Sequence, residues 1–148
     1  MQANLAKKLG STLGTLAIVA AGVLVSATPA AAAEDSFSFT YTNLVNGDPI
    51  IVANNNSWGG EPAGYAEWRA DPSGGAPGDA LTARDVLPDG YGIEAHLSNG
   101  RVATTRGHGS PYSVTETGNL TEGSTYTMKL CVVKGSYSKC SIGVTARA

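Results

Sequence analysis

From Phe37 onward the chain consists of short runs in which apolar and polar residues alternate, broken by clusters of Gly, Pro, Asn, Asp, Ser and Thr. A period of two is the mark of strands with one face buried, and no run keeps the 3.6-residue period of a helix. Phe37, Phe39 and Tyr41 share one face of the first run, with Ser38, Thr40 and Thr42 on the other. Pro49 to Val52 follows the turn at Asn46-Gly47-Asp48 as a short second strand. Asn54 to Gly64 is too rich in Asn and Gly for a strand and reads as a loop carrying Trp58. Gly64 to Ala70 alternates again, with Ala66, Trp68 and Ala70 together, and Leu81 to Val86 is a weaker strand beyond the Asp71 to Gly78 loop. The turn Pro88-Asp89-Gly90 launches the clearest central strand, with Tyr91, Ile93, Ala95 and Leu97 facing in and Glu94 and His96 facing out. Asn99-Gly100 carries a hairpin-turn signal, so Arg101 to Thr105 is expected to pair back. Tyr112 to Thr117 is one further short strand.

The closing hairpin is the most informative. Thr125 to Val133 puts Tyr126, Met128, Leu130 and Val132 on one face. With Gly135-Ser136 as the turn, Cys131 stands opposite Cys140 in a non-hydrogen-bonded pair, where Cα atoms lie about 4.5 Å apart. That reach suits a disulfide. The same register puts Ile142 and Val144 on the face opposite Met128 and Leu130, a conflict that a β-bulge at Gly143 would resolve.

The segment before Phe37 reads differently. Lys7 and Lys8 are the only charges before Glu34, an apolar run from Leu13 to Val25 follows, and Pro29 precedes the small residues Ala30 to Ala33. This is the layout of a secretory signal peptide with a cut between Ala33 and Glu34, a cut one to three residues earlier being equally legible. The apolar run is short against the roughly 20 residues of a spanning helix. Residues 1–33 are therefore expected to form a cleaved signal-peptide helix, and residues 34–148 a single domain that is secreted and extracellular. Export delivers the cysteine pair to an oxidising place, which favours the disulfide over a metal pair lacking further ligands. The chain without its leader has 115 residues, all 12 acids and eight of the ten bases, for a net charge of −4. A mildly acidic chain is a poor match for nucleic acid or for an anionic membrane.

Leu120-Thr121-Glu122-Gly123-Ser124-Thr125-Tyr126 resembles the corner that enters strand F of fibronectin type III and other immunoglobulin-like domains. In that resemblance Leu120 and Tyr126 match the tyrosine corner, and Trp68 stands near the core Trp of an early strand. The implied fold is all-β, an immunoglobulin or fibronectin III-like antiparallel sandwich of about seven strands. Asp89-Gly90-Tyr91-Gly92, the Leu120 to Tyr126 turn and the Cys131 to Cys140 hairpin also resemble small secreted actinobacterial proteins, a likeness that carries no activity with it.

No motif in the sequence amounts to an active site. Gly107-His108-Gly109-Ser110-Pro111 is not the G-x-S-x-G elbow and reads as a glycine-rich connection. His96 and His108 lack a third metal ligand, and Glu61, Glu67, Asp71, Asp79 and Asp85 show no marked pair for glycoside hydrolysis. No catalytic, metal or cofactor-binding residue is assigned, and no cofactor is expected. Trp58 is either a lid folded onto the sandwich or an exposed ring that, with Asn55 and Asn56, makes candidate ligand contacts. The expected role is a non-catalytic binding or structural module at the cell surface or in the medium, contacting a protein, cell-wall or glycan partner. The alternative is a small secreted enzyme or enzyme inhibitor with a loop-built site.

Overall fold

The computed structural model describes residues 33–148, so the expected leader lies outside the described residues except for Ala33. Ten strands follow in order: β1 (Phe37–Asn43), β2 (Pro49–Asn55), β3 (Glu61–Arg69), β4 (Ala80–Asp85), β5 (Gly92–Leu97), β6 (Val102–Thr104), β7 (Tyr112–Glu116), β8 (Thr125–Lys134), β9 (Tyr137–Cys140) and β10 (Val144–Arg147). They build two antiparallel sheets. One has the order β1-β2-β3-β4-β7; the other has the order β10-β8-β5-β6, with β9 also paired to β8. The architecture is the all-β sandwich that the alternation predicts. No helix among the described residues is long and apolar enough to cross a membrane.

The strand count exceeds seven for two reasons. The β1–β2 hairpin extends the first sheet beyond β3, and the last strand is split. In β9 the register sets Cys131 opposite Cys140, whereas in β10 Val144 faces Met128, a shift of one residue. The irregular stretch is Ser141 to Gly143, the bulge that the sequence conflict calls for. Its ladder is mended locally: Ser141 N–H donates to Leu130 O at 2.8 Å, and Leu130 N–H donates to Ser141 Oγ at 3.0 Å. Val144 thereby packs against the core, while Ile142 is left 71% exposed. The disulfide between Cys131 and Cys140 is formed, with Cα atoms 4.0 Å apart.

The expected loop from Asn54 to Gly64 is mostly strand. β2 runs through Asn55 and β3 starts at Glu61, joined by a 3-10 turn at Asn56–Trp58 and by Gly59 and Gly60. Asn is a poor strand former, but β2 lies between β1 and β3, and pairing on both sides outweighs the propensity of single residues. A register irregularity at Ala53/Asn54 absorbs the mismatch.

Side chains from both sheets fill the space between them. Ile51, Ala66, Trp68, Leu81 and Ala83 come from one, and Ile93, Ala95, Met128, Leu130 and Val132 from the other. Trp68 is fully buried, and its Nε1–H donates to Arg147 O at 2.8 Å, joining β3 to β10 across the sandwich. The corner before β8 is closed in an unexpected way. Tyr126 packs against the core, but its hydroxyl makes no hydrogen bond among the described residues, in contrast to the tyrosine corner implied by resemblance. Buried Asp79 fills that role: its Oδ2 accepts from Leu120 N–H at 2.7 Å, and Arg101 donates to the carbonyls of Asp79 and Gly118.

The two sheets approach closely at Gly64, where a Cβ would overlap Ile93 Cγ1 of the facing sheet and the Arg84 carbonyl oxygen. Gly64→Ala is expected to destabilise the fold by about 1–3 kcal/mol in urea unfolding, as overpacking a rigid site does. Gly109→Ala, where a Cβ would meet nothing within 4 Å, is the control expected to change little; equal effects would mean that the sheets yield at Gly64.

Candidate functional site

At one end of the sandwich the chain passes between sheets twice. The β4–β5 connection leaves the first sheet after Asp85, and the β6–β7 connection returns to it at Tyr112. The β8–β9 turn closes the same end, since Gly92 pairs with Val133. These segments enclose an open cleft of about 580 Å³.

Each segment is shaped by its own sequence. In the first, Asp89 Oδ1 accepts from Tyr91 N–H at 3.0 Å and Gly90 adopts φ 79°, the left-handed geometry for which glycine is suited. In the second, Thr105 Oγ1 accepts from Ile93 N–H at 2.8 Å and Gly107 turns at φ 79°. Arg106 then ties this loop to the hairpin: Nε donates to Glu94 Oε1 at 2.7 Å, and Nη1 donates to Gly135 O at 3.0 Å. Burial pushes the Glu94 carboxyl up, but hydrogen bonds from Arg106 and His96 outweigh it and hold the group below its ordinary pKa.

Behind the cleft lies an aromatic cluster of Phe37, Tyr91 and Tyr137, with Tyr91 edge-on to both neighbours at 4.9 and 5.6 Å. The Tyr91 hydroxyl donates to Glu34 Oε2 at 2.6 Å and accepts from Asp35 N–H at 2.9 Å. Burial first, and then the bond to Glu34, pushes it up to about 12. The first residues after the expected cut are therefore docked onto this end.

Asp85 stands out at the floor. On β4, Leu81 and Ala83 face the core, and Asp85 is the next residue in that inward row. It is only 2% exposed, yet it lines the cleft and pairs with no cation among the described residues. Loss of water raises its pKa from 3.8 to about 6, and the charge of Asp89 adds to the rise; Ser110 and the Leu87 backbone offset part of it. The neighbouring Ser110 Oγ is out of contact with solvent and lacks the geometry of a hydrogen bond to any partner.

The residues singled out in the sequence are scattered. Trp58 is 48% exposed, in the 3-10 turn, and Asn56 beside it is exposed and accepts from Ser38 Oγ at 2.9 Å. Asn55 is fully buried and engaged internally: Oδ1 accepts from Ser57 N–H, and Nδ2 donates to Asp35 at 2.7 Å and to Asp89 at 2.8 Å. That bond to Asp89 sets the Trp58 turn at the same end as the cleft. The Cys131–Cys140 disulfide is on the outer face of the second sheet, beside Lys129 and His96. His96 pairs with Glu94 at 3.1 Å, whereas His108 stacks on Tyr112 with ring centroids 3.9 Å apart. No group of three His, Cys, Asp or Glu among the described residues is placed to hold a metal ion. Glu67 pairs with Arg69 at 2.8 Å, and Asp79 serves the corner before β8. Asp85 and Ser110 were readable in the sequence only as separate residues; the inward row Leu81, Ala83, Asp85 was the one signal that could have marked the cleft.

The chain matches none of the protein-family models, curated proteins or solved structures with which it was compared.

Because its folded pKa is raised, Asp85 keeps a proton in the folded state that the unfolded chain releases between pH 3.8 and about 6. Stability is expected to fall as pH rises through that window, and the cost is complete above it. Asp85→Asn should therefore stabilise the protein at pH 7, by on the order of 1–3 kcal/mol, and give no such gain at pH 3. Urea unfolding at both pH values checks this, and a loss of stability at pH 7 would mean that the carboxylate is already well compensated.

Proposed function

We propose that this protein is an exported, non-catalytic binding module, acting at the cell surface or in the surrounding medium, that presents one end of an immunoglobulin-like sandwich to its ligand. The observation that carries the reading is the loop-built cleft with a nearly inaccessible, cation-free carboxyl at its floor. A buried carboxyl whose neighbours offset its loss of water only in part is costly, and clefts that gather such groups are where ligands bind. The strand order supports the architecture: β3-β4-β7 against β10-β8-β5-β6 follows the pattern of a seven-stranded immunoglobulin-like domain, with the β1–β2 hairpin added at one edge. Such sandwiches gather binding loops at one end. The disulfide suits an oxidising location, and the exposed Trp58 and Asn56 give the cleft a broader contact surface at its side.

A small secreted enzyme is the second reading, and Asp85 is what favours it. A carboxyl with a pKa of about 6 is in the range useful for general acid–base chemistry. Against it, His108 is stacked on Tyr112 and makes no hydrogen bond to Ser110 among the described residues, so no nucleophile and base are paired.

Cosedimentation of the purified protein with isolated cell walls and insoluble polysaccharides tests the proposal. Retention is expected, with Trp58→Ala losing at least about threefold in affinity, the scale of an exposed aromatic contact. Absence of retention, together with hydrolase turnover abolished in Asp85→Asn, would replace the module by the enzyme.

A further inference from the structure

Resting on the reading of this end as a binding surface, we infer that the cleft takes a neutral, hydroxyl-rich ligand, a sugar, whose hydroxyls bond the Asp85 carboxylate and the Ser110 hydroxyl. The floor makes the first demand. Asp85 is 2% exposed, pairs with no cation among the described residues, and has only Ser110 and the Leu87 backbone to offset part of the cost of its burial. A carboxylate only accepts, and a serine hydroxyl both donates and accepts. Their complement is a group that can donate to one and exchange either role with the other. A sugar hydroxyl does this, and adjacent hydroxyls on one ring present such groups side by side.

Charge narrows the choice. Arg106, His108 and Lys134 line the mouth, while Asp85 lies at the floor with Asp89 close enough to act on it. Arg106 is already committed to Glu94, and Lys134 Nζ rests 4.3 Å over the Tyr91 ring. A polyanion would meet the Asp85 carboxylate at depth, and a cation would meet the basic mouth. A neutral ligand avoids both, and a donor-rich one gains from the low dielectric at the floor.

Shape agrees. The walls include Gly90, Gly107 and Gly109, and a Cβ at any of them would meet nothing within 4 Å, so the backbone borders open space. Leu87 and Pro88 supply apolar surface on which the C–H face of a sugar ring can lie. The volume of about 580 Å³ is in the range of small-ligand sites.

A printed array of neutral, amino-substituted, sulfated and sialylated oligosaccharides tests the class, followed by calorimetric titration at pH 7.5 with the best neutral binder. The protein is expected to bind neutral members, and Ser110→Ala and Asp85→Asn each to weaken binding at least about tenfold. Melting temperature separates loss of binding from loss of fold. Should Asp85→Asn fail to fold, Ser110→Ala, which sits in the loop, decides. Unchanged affinity in Ser110→Ala, or binding confined to charged oligosaccharides, overturns the inference. Retention on cell walls without binding to any neutral sugar overturns it too while leaving the binding-module reading standing; no retention and no binding removes both.

Discussion

Each strand of this sandwich has one row of side chains that water cannot reach, and whatever stands in that row must be apolar or must find a partner. Trp68 meets the rule by sending its indole N–H across to Arg147 O. Thr105 meets it by bonding both the N–H and the carbonyl of Ile93. Asn55 does so three times over, through Ser57, Asp35 and Asp89, and Asp79 through Leu120. At Asp85 the solution is incomplete, since Ser110 and the Leu87 backbone offset only part of the cost of burying its carboxyl. Among the described residues, the loops at one end of the core leave a cleft. There a pair of polar groups is held away from bulk water and out of reach of any cation. A carboxyl compensated only in part, with a serine beside it and both residues lining the cleft, is the physical basis for reading this end as a site. Proteins accept such local cost where it serves binding.

Much of the framework follows from alternation and turn chemistry. The rows Phe37-Phe39 and Tyr91-Ile93-Ala95-Leu97 are legible because a strand with one buried face repeats every two residues. The disulfide is legible because a two-residue turn fixes the register all the way to Cys131 and Cys140. The bulge is legible for the same reason, since that register left Val144 on the wrong face. Other features depend on contacts between distant segments. Asn54 and Asn55 are held as strand by neighbours on both sides, which composition opposes. The corner before β8 is closed by Asp79, about 40 residues upstream, in place of the Tyr126 hydroxyl. The cleft was hidden more deeply still. Asp85 and Ser110 are far apart in sequence and meet only because β4 pairs with β7 and because the loops beyond them turn across the same end.

The construction of that end also connects the two parts of the sequence reading. Glu34 and Asp35, the first residues beyond the expected cut, are bound by Tyr91, Asn55 and Tyr137 behind the cleft. Arg106 fastens the β6–β7 loop to the β8–β9 turn. The glycines of the loops, which would allow movement, are therefore flanked by anchored points, and the cleft is largely preformed. A preformed site loses less conformational freedom when it is filled.

The central claim is that Asp85 is a buried carboxyl at the floor of the cleft whose loss of water Ser110 and the Leu87 backbone offset only in part. Carbon-13 NMR titration of its side-chain carboxyl in the free protein tests this most directly. A midpoint near pH 6 is expected; a midpoint at or below the ordinary aspartate value of about 3.9 would show that the protein already supplies Asp85 with partners and that the cleft has no such demand to satisfy.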